Sequence, residues 1–257
     1  MRIAGGSFSG RPIDEKLACP DAFLEYHFFM GLIQISGLLL LFAIQVKAQV
    51  GEKCFGPLSY GMSDDTAEDA LSDIGIQRIR ESSEPLALKQ TFNNSGVVAW
   101  DRIENEKNMQ IFERKSFRGR VVEEIAQVFC YFFKTQAANN LGLPGSKGLQ
   151  AVIVIFDPLE KDCLSTFEKL QNIVSERNGV PSKVTRNFEE PFFKNDGYTE
   201  TAIKAGKCTY EANWQHPTGS QSIWLRIGKD MKIMLYYQSS TFGEIVDRDL
   251  KRKKDLL

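Results

Sequence analysis

Hydrophobic and polar positions separate most cleanly over residues 149–184. Leu149, Ala151, Val152, Ile153, Val154, Ile155 and Phe156 form a nearly unbroken β-branched and aromatic run, which is the composition of a central strand covered on at least one face. Asp157, Pro158 and Glu160 follow as helix-start signals: a cap, a proline at the first helical position and a residue able to close a capping box. Cys163, Phe167, Leu170 and Val174 then recur at helical spacing, widened by Leu164 and Ile173, while Glu168, Lys169, Gln171 and Glu176 fall on the other side. This pattern predicts a helix that docks one face on a sheet. Asn178 and Gly179 provide a left-handed exit, and Pro181 forbids continuation. The unit is scaffold and carries no chemistry of its own.

The pattern elsewhere places further elements around it. Residues 55–60 read as a short strand, and Ser63 caps a helix with Ala67, Ala70 and Leu71 on its apolar side and Gly75 at its end. Residues 97–100 and 109–112 are strand candidates. Residues 119–134 are ambiguous: Arg120, Glu123, Glu124, Gln127 and Lys134 recur at helical spacing, whereas residues 128–133 look like a buried strand by residue type. Residues 141–148 form a loop and residues 182–206 are irregular. Residues 208–214, 222–227 and 232–237 are strand-like runs in close succession. The second alternates Ile223, Leu225 and Ile227 against Ser222, Trp224 and Arg226, which predicts an antiparallel meander with one buried face. A charged helix closes the chain over residues 243–257.

The predicted fold is α+β, a two-layer antiparallel sheet with helices packed on one face, and two related modules fit the order of elements. The division is residues 1–29 as an extension without sustained periodicity, 30–48 as a signal peptide or membrane anchor, 49–148 as a first α+β module and 149–257 as a second. Residues 31–46 are dominated by Leu, Ile, Phe and Val, and Val46, Lys47 and Ala48 match the small-residue pattern read at a cleavage site. Residues 28–46 are also just long enough to span a bilayer, although Gln34, Ser36, Gly37 and Gln45 dilute them, and a buried core helix is the third reading. The signal-peptide and anchor readings place the remainder outside the cytosol, in the periplasm or the extracellular space.

Composition narrows the function classes. Of 257 residues, 42% are hydrophobic and 25% charged, with a net charge of −1, so a real core is available and there is no basic excess to hold nucleic acid. Removing residues 1–48 leaves Cys54, Cys130, Cys163 and Cys208, which are candidate disulfide cysteines in an oxidising compartment or, equally, buried thiols. They contain no C-x-x-C pair, and histidine is confined to His27 and the turn residue His216. No metal site, catalytic residue or cofactor motif follows from this inventory. Asp64–Asp65, Glu68–Asp69 and Glu123–Glu124 are adjacent carboxylates whose side chains point apart, and the basic cluster 251–254 suits a helix C-terminus. The aromatic residues Trp214, Trp224, Tyr236 and Tyr237 lie on the terminal meander and form the candidate binding surface, because strand neighbours alternate faces.

Two motifs carry a resemblance. Tyr60-Gly61-Met62-Ser63 with the Ala67/Ala70/Leu71 helix is similar to the Gly-Met-Thr/Ser helix start of the outer-membrane assembly lipoprotein family called BamE or SmpA-like, and of the β-lactamase-inhibitor-protein-like fold. Residues 167–184, with the Asn178-Gly179-Val180-Pro181 exit and the meander after it, resemble the helix, Tyr-Gly-x-Pro turn and sheet of those modules. Asn178 replaces the usual aromatic, there is no lipobox cysteine, and residues 89–147 have no counterpart. The resemblance implies a non-enzymatic module that works through protein contacts. The expectation is therefore a secreted or periplasmic non-catalytic protein whose partner is another envelope protein, with membrane contact only through an uncleaved N-terminal segment. The alternatives are an envelope enzyme using carboxylates such as Asp64 or Glu68, and a membrane-anchored structural protein.

Overall fold

The order of strands in the sheet reads as a palindrome. A computed structural model describes residues 52–79, 111–215, 219 and 221–255, all within one unit, Ala48–Leu257. Helix α1 (Asp64–Asp73) is followed by strands β1 (Gln77–Arg78), β2 (Phe112–Val121), β3 (Glu124–Phe133) and β4 (Gly148–Phe156), with the short helix α2 (Thr135–Asn140) between β3 and β4. Helix α3 (Cys163–Asn178) is followed by β5 (Lys183–Phe188), the short helix α4 (Thr199–Lys204), β6 (Cys208–Gln215), β7 (Gln221–Ile227), β8 (Ile233–Ser239) and helix α5 (Ser240–Asp255). The eight strands lie in the order β1-β2-β3-β4-β8-β7-β6-β5, and every neighbouring pair is antiparallel. A helix followed by a four-stranded meander thus occurs twice, and the meanders meet where β4 pairs with β8, Val154 opposite Leu235. The boundary expected between residues 148 and 149 falls at the start of β4, inside this continuous sheet.

The fold is α+β as the pattern predicts, and its position in the sheet explains why β4 lacks alternation. Strand β4 has neighbours on both edges and is buried on both faces from Leu149 to Phe156, so both sets of side chains must be apolar. One set, Val152, Val154 and Phe156, joins the larger core with Ala67 and Leu71 of α1 and with Cys163, Phe167, Leu170 and Val174 of α3. The other set, Ala151, Ile153 and Ile155, joins Phe112, Phe129, Tyr131, Met234 and Tyr236, and α5 adds Phe242, Ile245 and Val246. Strand β7 has the predicted alternation, with Ile223, Leu225 and Ile227 in the larger core and Trp224 and Arg226 half-buried on the other face.

Ser63 caps α1 as expected, accepting from the Thr66 amide at 3.2 Å. Gly179 ends α3 at φ +81°. Helix α3 itself begins later than Asp157 and Pro158 predict. Leu159 stays extended, Glu160–Asp162 make a 3-10 turn, and regular helix starts at Cys163 with no side-chain cap. The chain must climb from the sheet to the helix layer before its stripe can dock. Pro158 is buried in that connector, and the Cys163 thiol donates to the Met231 carbonyl at 3.1 Å.

Three further expectations are corrected. Residues 55–60 form no strand; only an isolated bridge joins Lys53 to Ser59 around a turn at Gly56. Residues 119–134 are entirely extended apart from a two-residue link, since cross-strand packing of residues 128–133 outweighs the helical spacing of the polar ones. Residues 182–206 contain β5 and α4, the former hidden in sequence because it is a polar edge strand. The strand candidate at 97–100, half of the 109–112 candidate, His27, His216 and the apolar segment 30–48 lie outside the described residues. No helix among the described residues is long and apolar enough to cross a membrane.

Candidate functional site

The four aromatic residues of the candidate surface divide between the two faces. Trp214 (2% exposed) and Tyr237 (5%) belong to the larger core, where the Trp214 indole N–H donates to the Gly179 carbonyl at 3.0 Å. Tyr236 (1%) lies on the opposite face, stacked on Trp224 with ring centroids 5.2 Å apart. Of the four, only Trp224 keeps appreciable exposure, next to Arg226, which is ion-paired with Glu211 at 3.4 Å. The cross-strand register accounts for this split, since Trp214 opposes core-facing Ile223 whereas Trp224 opposes Tyr236.

Cys54, Cys130, Cys163 and Cys208 are all free thiols and all buried, the second of the two sequence alternatives. Burial pushes the Cys54 and Cys163 thiols up to about 12, and raises Cys130 and Cys208 as well. A thiol held protonated in this way is a poor nucleophile. We expect these four to resist alkylation in the native protein at pH 8 and to react on unfolding, read by mass spectrometry of labelled peptides. The same shift sets a pH dependence. The folded pKa of Cys54 and Cys163 lies above the ordinary value of 9.0, so the stability linked to their protonation is complete below pH 9 and is lost as pH rises from 9 towards 12. Thermal melts across that window should show Tm falling steadily.

The adjacent carboxylates are dispersed. Glu68 pairs with Arg78 at 2.8 Å and Glu123 with Lys169 at 2.6 Å. Asp64 lies 3.5 Å from Lys115, which also holds Glu113 at 2.6 Å. Asp64 and Glu113 line a polar cleft of about 310 Å³ with Ser63, Lys134, Thr135 and Lys147. One ammonium spans both carboxylates, and the Ser63 hydroxyl is used in capping, so the cluster ties α1 to β2. Among the described residues no group of three metal-ligating side chains forms. In the basic cluster, Arg252 and Lys253 both pair with the buried Asp249 of their own helix.

A different site emerges where the two meanders meet. A cleft of about 320 Å³ opens between α3 and the segment that leaves α1, within the range of about 300–1,000 Å³ usual for small-molecule sites. Phe156 of β4 and Leu235 and Tyr237 of β8 belong to the sheet, Leu170, Ile173 and Val174 to α3, and Ile74 and Ile76 to the segment leaving α1. Phe55, Val121 and Val122 add further apolar surface. Among the described residues Arg120 and Arg177 are the only charged ones that line it, and an Arg177 guanidinium nitrogen lies 3.4 Å from the Gly56 carbonyl. Ile74 is 50% exposed, an apolar side chain left at the mouth rather than in the core.

The cleft also contains strained backbone. Val122 and Glu123 turn from β2 to β3 with φ +51° and +73°, the two positive values that a type I′ hairpin link requires. Asparagine and glycine adopt them at little cost, whereas a β-branched residue there is a genuine outlier. Replacing the pair by Val122→Asn with Glu123→Gly should stabilise the fold by about 1 kcal/mol in urea denaturation, while removing an apolar contact from the cleft.

Sequence reasoning did not find this cleft, because its residues come from elements far apart in the chain. The usable signals were Ile74, lying beyond the apolar stripe of α1, and Ile173, at the edge of the stripe of α3. The chain matches no protein-family model, no curated protein and no solved structure.

Proposed function

We propose that the protein is an exported, non-catalytic binding module whose site is the apolar cleft between α3 and the segment that leaves α1, and that its ligand is an apolar small molecule. The cleft carries the reading: a half-open cavity with eleven apolar side chains and two arginines lining it, at the meeting point of two helix-and-meander halves. Apolar lining gives affinity in proportion to the surface removed from water, and few polar groups then orient the ligand. A β-branched residue held in the left-handed region at the same cleft fits a site whose local stability is sacrificed to shape. Export rests on the apolar segment 30–48 and its cleavage-like end. The repeated helix and meander support kinship with the β-lactamase-inhibitor-protein-like and BamE-like modules.

The direct test is an Ile74→Trp variant, which places a large ring at the mouth without disturbing a buried position. Titration with an uncharged alkyl ligand should give saturable binding in the parent protein and at least tenfold weaker binding in the variant. Equal binding in the two would move the site elsewhere.

A second reading keeps the protein-contact expectation. The half-buried Trp224 stacks on Tyr236 beside the Arg226–Glu211 pair, and an aromatic residue of this kind can anchor a protein interface. Trp224→Ala should then abolish capture of an envelope partner while leaving the fold and alkyl-ligand binding intact.

A further inference from the structure

Resting on the cleft reading above, we infer that the ligand is a single-chain amphiphile with an anionic head group, its alkyl chain on the apolar floor and its head at the arginine-bearing mouth. Arg120 and Arg177 line the cleft, and among the described residues no carboxylate does. The lining therefore has a net positive end and an apolar remainder, which accepts an alkyl chain, favours an anionic head over an uncharged one and disfavours a cationic one.

The Arg177 charge reaches the floor of the site. It works against the burial that raises both the Cys54 thiol and the Tyr237 phenol, and Tyr237 is itself part of the lining. Among the described residues its one hydrogen bond is a 3.4 Å contact to the Gly56 carbonyl. That contact is long and leaves the remaining guanidinium donors available, in the fork geometry that suits carboxylate or phosphate oxygens. Two sources of the head group share this chemistry, a fatty carboxylate and an alkyl phosphate.

The test uses the full-length protein. Calorimetric titration compares dodecanoate, dodecyl phosphate and dodecanol, each below its micelle concentration, at pH 7.5. The inference predicts that at least one anion binds roughly tenfold tighter than the alcohol, the size of one charge-assisted hydrogen bond. That preference should vanish in an Arg120→Gln/Arg177→Gln variant that still binds the alcohol. The stronger anion identifies the head group. Equal affinity for all three ligands, or a preference that survives in the double variant, overturns the anionic inference and leaves the cleft standing as an apolar site. Failure of all three to bind overturns the cleft reading itself, and the inference with it.

Discussion

Gly148→Ala should be among the most damaging single substitutions in the protein. Gly148 has φ +90°, and a Cβ placed on it would lie 2.4 Å from the Gly61 carbonyl oxygen and 2.6 Å from that of Met62. Neither oxygen can move freely. The Gly61 amide donates to the Leu149 carbonyl and the Leu149 amide donates to the Met62 carbonyl, both at 2.9 Å. These bonds fasten the segment before α1 to the start of β4. An added methyl must break them or distort both backbones, on top of the cost of an L-residue in the left-handed region. The expected loss is roughly 3 kcal/mol or more, seen as a lower urea midpoint with an unchanged slope. A parent-like midpoint would mean that the two segments are not in contact.

Phe167→Ala should cost about 3–5 kcal/mol, the usual range for deleting a fully buried aromatic side chain. Phe167 has no exposed surface and sits edge-on to Tyr210 with centroids 5.0 Å apart. Arg186 stacks over both rings, 3.5 Å from the Tyr210 centroid and 4.9 Å from that of Phe167. The same guanidinium donates to the carbonyls of Thr185 and Glu211 and to the Gln171 side chain. Removing Phe167 therefore loosens a cage that joins α3 to β5 and β6, in addition to leaving a cavity. A loss below 1 kcal/mol would show that α3 is held by other contacts.

These two positions differ in how visible they are in the sequence. Phe167 stands on a stripe that follows helical spacing, and its burial was expected from pattern alone. Gly148 reads as an ordinary loop glycine, because its need comes from Gly61 and Met62, which approach it only after folding. The meander of β6, β7 and β8 was legible for the same reason as the helix. Strands β6 and β7 have one core face each, so polar and apolar residues alternate in a way that the period reveals, whereas β8, expected to have one buried face, is buried on both and reads as a continuous apolar run.

The link between β2 and β3 shows where local signals end. Val122 and Glu123 contain neither asparagine nor glycine, so nothing local marks a hairpin, and polar residues around them happen to recur at helical spacing. Ten cross-strand pairs between β2 and β3 decide the matter. Strand β4 was recognised by residue type, yet its role as the joint between two halves follows only from its pairing with β8. The cleft was not legible at all. Ile74, Val122, Ile173 and Tyr237 lie far apart in the chain and come together only once both helices sit on the same face of the palindromic sheet. The aromatic surface was half legible: strand alternation predicts that Trp224 points away from Ile223 and Leu225 and that Tyr236 and Tyr237 face opposite sides, but only the register places Trp214 on the core face with Ile223.

The central claim is that the cleft between α3 and the segment that leaves α1 binds an apolar ligand. Amide chemical-shift mapping of the isotope-labelled protein titrated with dodecanol tests it most directly. The account predicts saturable shifts concentrated at Ile74, Ile76, Val121, Val122, Ile173 and Arg177, with Ser222, Trp224 and Arg226 unchanged. Absence of saturable shifts, or shifts gathered instead around Trp224, would contradict it.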